Sequence, residues 1–181
     1  MNIIIDPGHG GNDPGAIGIN GRKEKDIVLS TSYYLAGVLS HAFHKVYFTR
    51  INDATVSLWS RGDFAKKNKG NLFISLHCNG FEKSSANGFE VFYQTGDAIS
   101  NSLAGAIQSV MKDHYKLKNR GVKNANFQVL RDTYKTMPAV LVEMGFITSP
   151  IDYPVISSLV GQWQCANYIG KGILNYIERG Y

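Results

Sequence analysis

Cysteine is scarce in this chain. Cys78 and Cys165 are the only two in 181 residues, too few for a disulfide framework, so nothing requires an oxidising compartment. No run of about 18 apolar residues occurs, which excludes an ordinary transmembrane helix and any expectation of membrane insertion. Charged residues make up only 18%, which argues against a disordered tail or a solvated coiled coil. Internal repeats, low-complexity tracts and linkers are absent. Nothing matches a DNA- or RNA-reading module, so no nucleic-acid partner is expected. No basic segment with an apolar core precedes residues 1–5, which already read as strand, so no secretory signal is visible.

What is present is a globular composition. Hydrophobic residues reach 44%, enough for a real core, and the length suggests one domain over residues 1–181. Lys and Arg total 19 against 14 Asp and Glu, a net charge of +5. That balance favours an anionic partner such as a bacterial envelope or an acidic polysaccharide. The one basic cluster, Lys66, Lys67 and Lys69, reads as the solvated end of a helix.

Apolar patterning alternates strands with helices. Residues 1–6, 45–49, 71–76, 88–94, 127–131 and 138–142 read as strands, and NLFISL is the near-continuous apolar run of a buried parallel strand. Residues 26–41, 56–68, 97–115 and 161–177 carry helical spacing. Leu58, Trp59, Phe64 and Ala65 are expected on the apolar side of the second helix. The segment 81–125 is expected to hold one strand and one helix. Such alternation implies a mostly parallel sheet covered on both faces, with any site at the carboxyl ends of the strands.

Four polar residues lie at those places. His9 sits in the glycine loop after the first strand, His77 directly follows NLFISL, and Glu143 directly follows PAVLV. Glu24 opens the first long helix, and the loop 7–22 can fold it back to join them. Two imidazoles and a carboxylate suit a catalytic zinc with an open fourth position. A further carboxylate outside the metal shell can then take a proton from the attacking water. The spacing is not HExxH. The glycine loop also fails as a phosphate cradle, because GxGxxG is broken at Asp13 and no P-loop Lys-Ser/Thr follows.

The remaining candidates have plain readings. His41, His44 and His114 are expected as solvated or capping residues. Cys78 follows His77 on extended chain and points the other way, so a buried free thiol is expected rather than a Cys-His pair. Cys165, Trp59 and Trp163 are expected to pack in the interior, and Arg61 and Asp63 to tie the second helix to its neighbours.

Motifs add a resemblance. DPGHGGNDPGAIG with the later EKD, FISLHCNG, NRGVKNANFQVLR and MPAVLVEMGFITSP resemble, in order, the motifs of zinc-dependent N-acetylmuramoyl-L-alanine amidases of the amidase type 3 class. The match spans essentially the whole chain, although Cys78 and Gly80 stand where Leu and Ala are frequent in relatives. The resemblance implies a twisted, six-stranded, mostly parallel sheet. It also implies His9, Glu24 and His77 as Zn2+ ligands, Glu143 as the catalytic glutamate, and peptidoglycan as substrate, cut between N-acetylmuramic acid and L-alanine at the bacterial cell wall.

The short stretch between His77 and Glu143 implies constitutive activity, without the autoinhibitory helix of regulated relatives. Asn79 has two open readings, a hydrogen bond to substrate or oxyanion, or a local cap on the strand end. A phage-type release or an excised domain fits the missing signal, and a compact lytic domain needs to be no more than a monomer. Two other readings stand beside this one: a peptidoglycan-binding module without activity, and another zinc peptidase or deacetylase of the wall.

Overall fold

The structure, a computed structural model, describes residues 1–180. Ile3, Ile4 and Ile5 are all fully buried, so the first strand, Asn2–Pro7 (β1), is covered on both sides. Alternate side chains of a strand point to opposite faces. Ile3 and Ile5 accordingly enter a large hydrophobic cluster and Ile4 a second, smaller one.

The sheet is completed by Lys45–Phe48 (β2), Leu72–Asn79 (β3), Phe89–Gln94 (β4), Asn119–Ala125 (β5) and Ala139–Phe146 (β6). Their spatial order is β2-β1-β3-β6-β4-β5. Every neighbouring pair is parallel except β4 against β6. The helices are Glu24–His41 (α1), Leu58–Lys67 (α2), Ala98–His114 (α3), Gln128–Thr133 (α4), Tyr153–Ile156 (α5) and Leu159–Glu178 (α6). Ile27, Leu35, Leu103, Ile107, Ile169 and Ile173 bring α1, α3 and α6 onto one face of the sheet. Ala65, Val129 and Leu130 bring α2 and α4 onto the other. The protein is therefore a single α/β domain with a mostly parallel six-stranded sheet and helices on both faces. Among the described residues no helix is long and apolar enough to cross a membrane.

The short helices α2 and α4 cover only part of their face, and the sequence changes where they stop. Along β3 that face runs from Phe73 to Ser75 and His77. On β6 it runs from Ala139 and Leu141 to Glu143, and on β1 from Ile4 to Asp6. The opposite face stays apolar throughout, with Leu76, Cys78, Val142 and Met144.

Several expectations need correcting. Residues 127–131 are not a strand: Phe127 takes the N-cap position of α4, and the adjacent Val129 and Leu130 are both buried from that short helix. The strand lies just before, as β5, so the segment 81–125 holds two strands and a helix. NRGVKNA is an edge strand, part-exposed along its whole length, and it has no hydrophobic alternation to betray it. Trp59 is 66% exposed and Trp163 53% exposed. In α2 the buried stripe is Arg61, Gly62 and Ala65, which turns Leu58 and Trp59 outward. Trp163 falls beside the stripe of Gln162, Cys165, Ala166 and Ile169 on α6. Asp63 pairs with Lys67 of its own helix at 2.9 Å rather than with a neighbour. Finally, His77 and Glu143 do not follow their strands but lie within them.

Candidate metal centre and catalytic cleft

Strands β1, β3 and β6 are adjacent, so their carboxyl ends meet at one edge of the sheet. His77 pairs with Glu143 in register, and residues paired this way present side chains on one face. The loop after β1 folds Glu24 back beneath them. His9 Nε2 lies 3.1 Å and His77 Nδ1 3.0 Å from Glu24 Oε1. One donor atom from each of His9, Glu24 and His77 falls within 4.8 Å of the others. Four ligands held tetrahedrally at about 2.0 Å from a zinc are roughly 3.3 Å apart, so this nitrogen-and-oxygen set fits such an ion.

The cluster is held from behind. Ala16 N–H and Cys78 N–H each donate to the Glu24 carboxylate at 2.9 Å. His9 Nδ1 donates to Asp13 Oδ2 at 2.8 Å, which turns Nε2 towards Glu24 as the nitrogen a metal would take. His9 itself has φ 59°, the left-handed region that few L residues adopt. Two buried arginines hold it there. Arg61 donates to Pro7 O at 2.8 Å and His9 O at 2.7 Å, and Arg50 donates to Pro7 O and Gly8 O. Arg61 is in turn paired with Asp6 at 2.7 Å, and Asp6 also accepts from Thr49 and Ser75.

The glycines around His9 make room for the ligands. A Cβ on Gly8 would stand 2.3 Å from His77 Cε1. One on Gly15, at φ +66°, would stand 2.6 Å from Glu24 Oε2.

The charges of this metal-free arrangement follow from its contacts. Burial pushes the Glu24 carboxyl up, but hydrogen bonds and charge from His77 and His9 outweigh it and hold the group far below the usual range. Burial pulls His9 down, and Glu24 and Asp13 more than compensate, so its pKa is raised. Glu143 goes the other way. Its Oε2 is enclosed without a partner among the described residues. Burial, then the nearby Glu24 and Glu90 carboxylates, push its pKa well up.

These groups line a cleft of about 670 Å3 together with Asn79, Leu58, Phe127 and Leu141. Asn79 does not cap its own strand: its Nδ2 donates to Glu90 Oε1 at 2.8 Å. Cys78 is buried, and burial raises its thiol pKa well above normal. His41 and His114 are exposed, the latter stacked on Tyr168 at 5.5 Å, and His44 is half-buried against the amino terminus. Asp13, Arg50 and Glu90 were not singled out in the sequence, and only Asp13, four residues after His9, carried a local signal.

The family profile described as N-acetylmuramoyl-L-alanine amidase matches residues 3–175. The N-acetylmuramoyl-L-alanine amidase LytC of Bacillus subtilis is 38% identical over 96% of this chain, which spans only 35% of LytC. The solved amidase of Clostridium difficile 630 superposes with a TM-score of 0.94 at 34% identity, covering 99% of this chain and 98% of that one. AmiC2 of Nostoc punctiforme gives 0.93 at 35% identity with the same coverage. The chain belongs to the N-acetylmuramoyl-L-alanine amidase family.

Proposed function

We propose that this chain is a zinc-dependent hydrolase that cuts the amide between the lactyl group of N-acetylmuramic acid and the L-alanine of the peptidoglycan stem peptide. The observation that carries the reading is the His9, Glu24 and His77 cluster beside the Glu143 carboxyl, whose enclosed Oε2 has no partner among the described residues. When bound, zinc supplies Lewis-acid polarisation of the scissile carbonyl and a lowered pKa for the attacking water.

The chain's own residues do the rest. Asp13 fixes the His9 tautomer, and the Ala16 and Cys78 amides fix Glu24. Glu143 accepts a proton from the attacking water at a carboxylate oxygen. Water oxygen bonds to the carbonyl carbon, the C–N bond breaks, and Glu143 returns its proton to the alanine nitrogen. The products are a lactyl carboxylate and a free alanine amine. Enclosure of the Glu143 carboxyl favours holding that proton between the two transfers.

Purified peptidoglycan digested with and without chelator, followed by zinc add-back and mass analysis, tests this. Stem peptides beginning with alanine are expected, lost with chelator and restored by zinc. Release of acetate instead would identify a deacetylase. Intact wall with zinc bound would identify a binding module.

A further inference from the structure

The row that holds His77 and Glu143 continues one strand further. Glu143 pairs in register with Glu90 of β4, so Glu90 faces the same side of the sheet. Glu90 is 5% exposed and gathers three donors. Asn79 Nδ2 reaches one oxygen at 2.8 Å, while Arg120 Nε at 2.9 Å and Lys123 Nζ share the other. One buried carboxylate thus holds two cations of β5, a local surplus of one positive charge. The two cations remain 31% and 39% exposed.

Their positions are fixed but their donors are not used up. The Arg120 guanidinium lies 5.0 Å over the Phe146 ring, and the Lys123 ammonium 5.8 Å from the Phe92 ring. Phe92 rests edge-on against Phe127 at 5.2 Å, and Phe127 lines the cleft with Glu143. Beyond Glu90, the one further hydrogen bond of Arg120 among the described residues runs from Nη1 to Asn87 O at 3.3 Å. Its Nη2 donates to nothing among the described residues. Lys123 spends one of its three ammonium donors.

Resting on the amidase reading above, we propose that Arg120 and Lys123 form a carboxylate-recognition site for the stem peptide. They take the free α-carboxylate of its second residue, a γ-linked glutamate. A lysine on an edge strand has a simpler use, discouraging strand addition. That use leaves the ammonium in solvent, whereas here both cations converge on one buried oxygen beside the cleft.

The distance suits the ligand. Strands lie about 4.8 Å apart, so β5 stands roughly 10 Å from Glu143 on β6. A peptide leaving the cut amide advances about 3.3 Å per residue. The second residue's carboxylate then falls within the reach of an Arg or Lys side chain based on β5. Glu90 sets the geometry of the two cations and lets an incoming carboxylate meet them already desolvated on one side.

Calorimetric titration of the intact protein with alanyl-γ-D-glutamyl-lysine and with its α-amide tests the site directly. The free acid is expected to bind at least about tenfold more tightly, the worth of one charge-assisted hydrogen bond. Lys123→Met keeps a chain of similar length without the charge and is expected to abolish most of that preference. Lys123→Glu is expected to reverse it, and Arg120→Gln to weaken it.

Equal affinity of the wild type for acid and amide overturns the proposal. So does an unchanged preference in folded Lys123→Met, or no binding of either peptide at millimolar concentration. Wall digestion by the wild type, run alongside, judges the amidase reading separately. A protein that binds the acid selectively but releases no alanine-terminated peptide would sink that reading and leave this site standing.

Discussion

Gly8 shows how much one hydrogen atom matters at this site. A methyl group there would stand 2.3 Å from the His77 ring, so Gly8→Ala is expected to push that imidazole out of line with Glu24. Displacing a ligand through its surroundings typically costs 10–100-fold in metal affinity, and zinc competition against a chromogenic chelator reads it. Gly37→Ala, with nothing within 4 Å of the added carbon, is the control and is expected to leave zinc affinity unchanged. Glu143→Gln makes the opposite separation. It removes the proton acceptor and touches no proposed ligand, so turnover should fall by about 10²–10⁴-fold or more while zinc stays bound. Loss of zinc together with activity would overturn the assigned role. His9, His77 and Glu143 were legible because each stands at or beside the carboxyl end of an apolar run, and Glu24 because it opens the first long helix after the glycine loop. Asp13 was half legible. Glu90 was not, because its significance lies in a cross-strand pairing with Glu143 that only the sheet order creates.

At the scale of elements, the buried ion pair between α2 and β1 positions the loop that carries His9. Burial raises the Asp6 pKa, but the Arg61 charge and the hydrogen bonds from Thr49, Arg61 and Ser75 outweigh it and hold it below the usual carboxylate range. A group depressed in the folded state contributes stability above its unfolded pKa and loses it as pH falls through the folded value. Denaturant titration should therefore show Asp6-dependent stability intact at neutral pH and disappearing below about pH 4. Arg61→Met strands a buried carboxylate and is expected to cost about 3–5 kcal/mol at pH 7. The cost should shrink as acid protonates Asp6. A penalty that stays flat with pH would mean that the arginine acts by packing alone.

The same helix shows why part of the fold escaped the sequence. Period alone placed Leu58 and Trp59 inside, but the buried stripe of α2 is set by the need to aim Arg61 at Asp6. A charged anchor overrode hydrophobicity. Likewise β5 has no apolar alternation because the residues that matter on it are Arg120 and Lys123, whereas β1, β3 and β6, buried on both faces, announced themselves.

Across the whole molecule, α6 joins the two ends of the chain to the core. Ile169 and Ile173 share one cluster with Ile27 and Leu35 of α1 and with Leu103 and Ile107 of α3. Pieces of such a layer have no core of their own, and the domain should unfold in one transition. The charge acts at this scale too. The surplus of +5 is a property of the surface, and exposed charges are screened within about 8 Å at physiological ionic strength and about 3 Å at 1 M salt. Adsorption to anionic wall polymers is therefore expected to weaken steeply as salt rises. On the proposed mechanism, turnover of a saturating soluble muramyl peptide rests on the groups within the cleft, Glu24 and Glu143 among them, and is expected to change far less. Co-sedimentation with purified walls and fragment hydrolysis, measured over the same salt series, separate the two. If both fall in parallel, the charge acts within the cleft rather than over the surface. If neither falls, the surplus charge has no part in holding the protein on the wall.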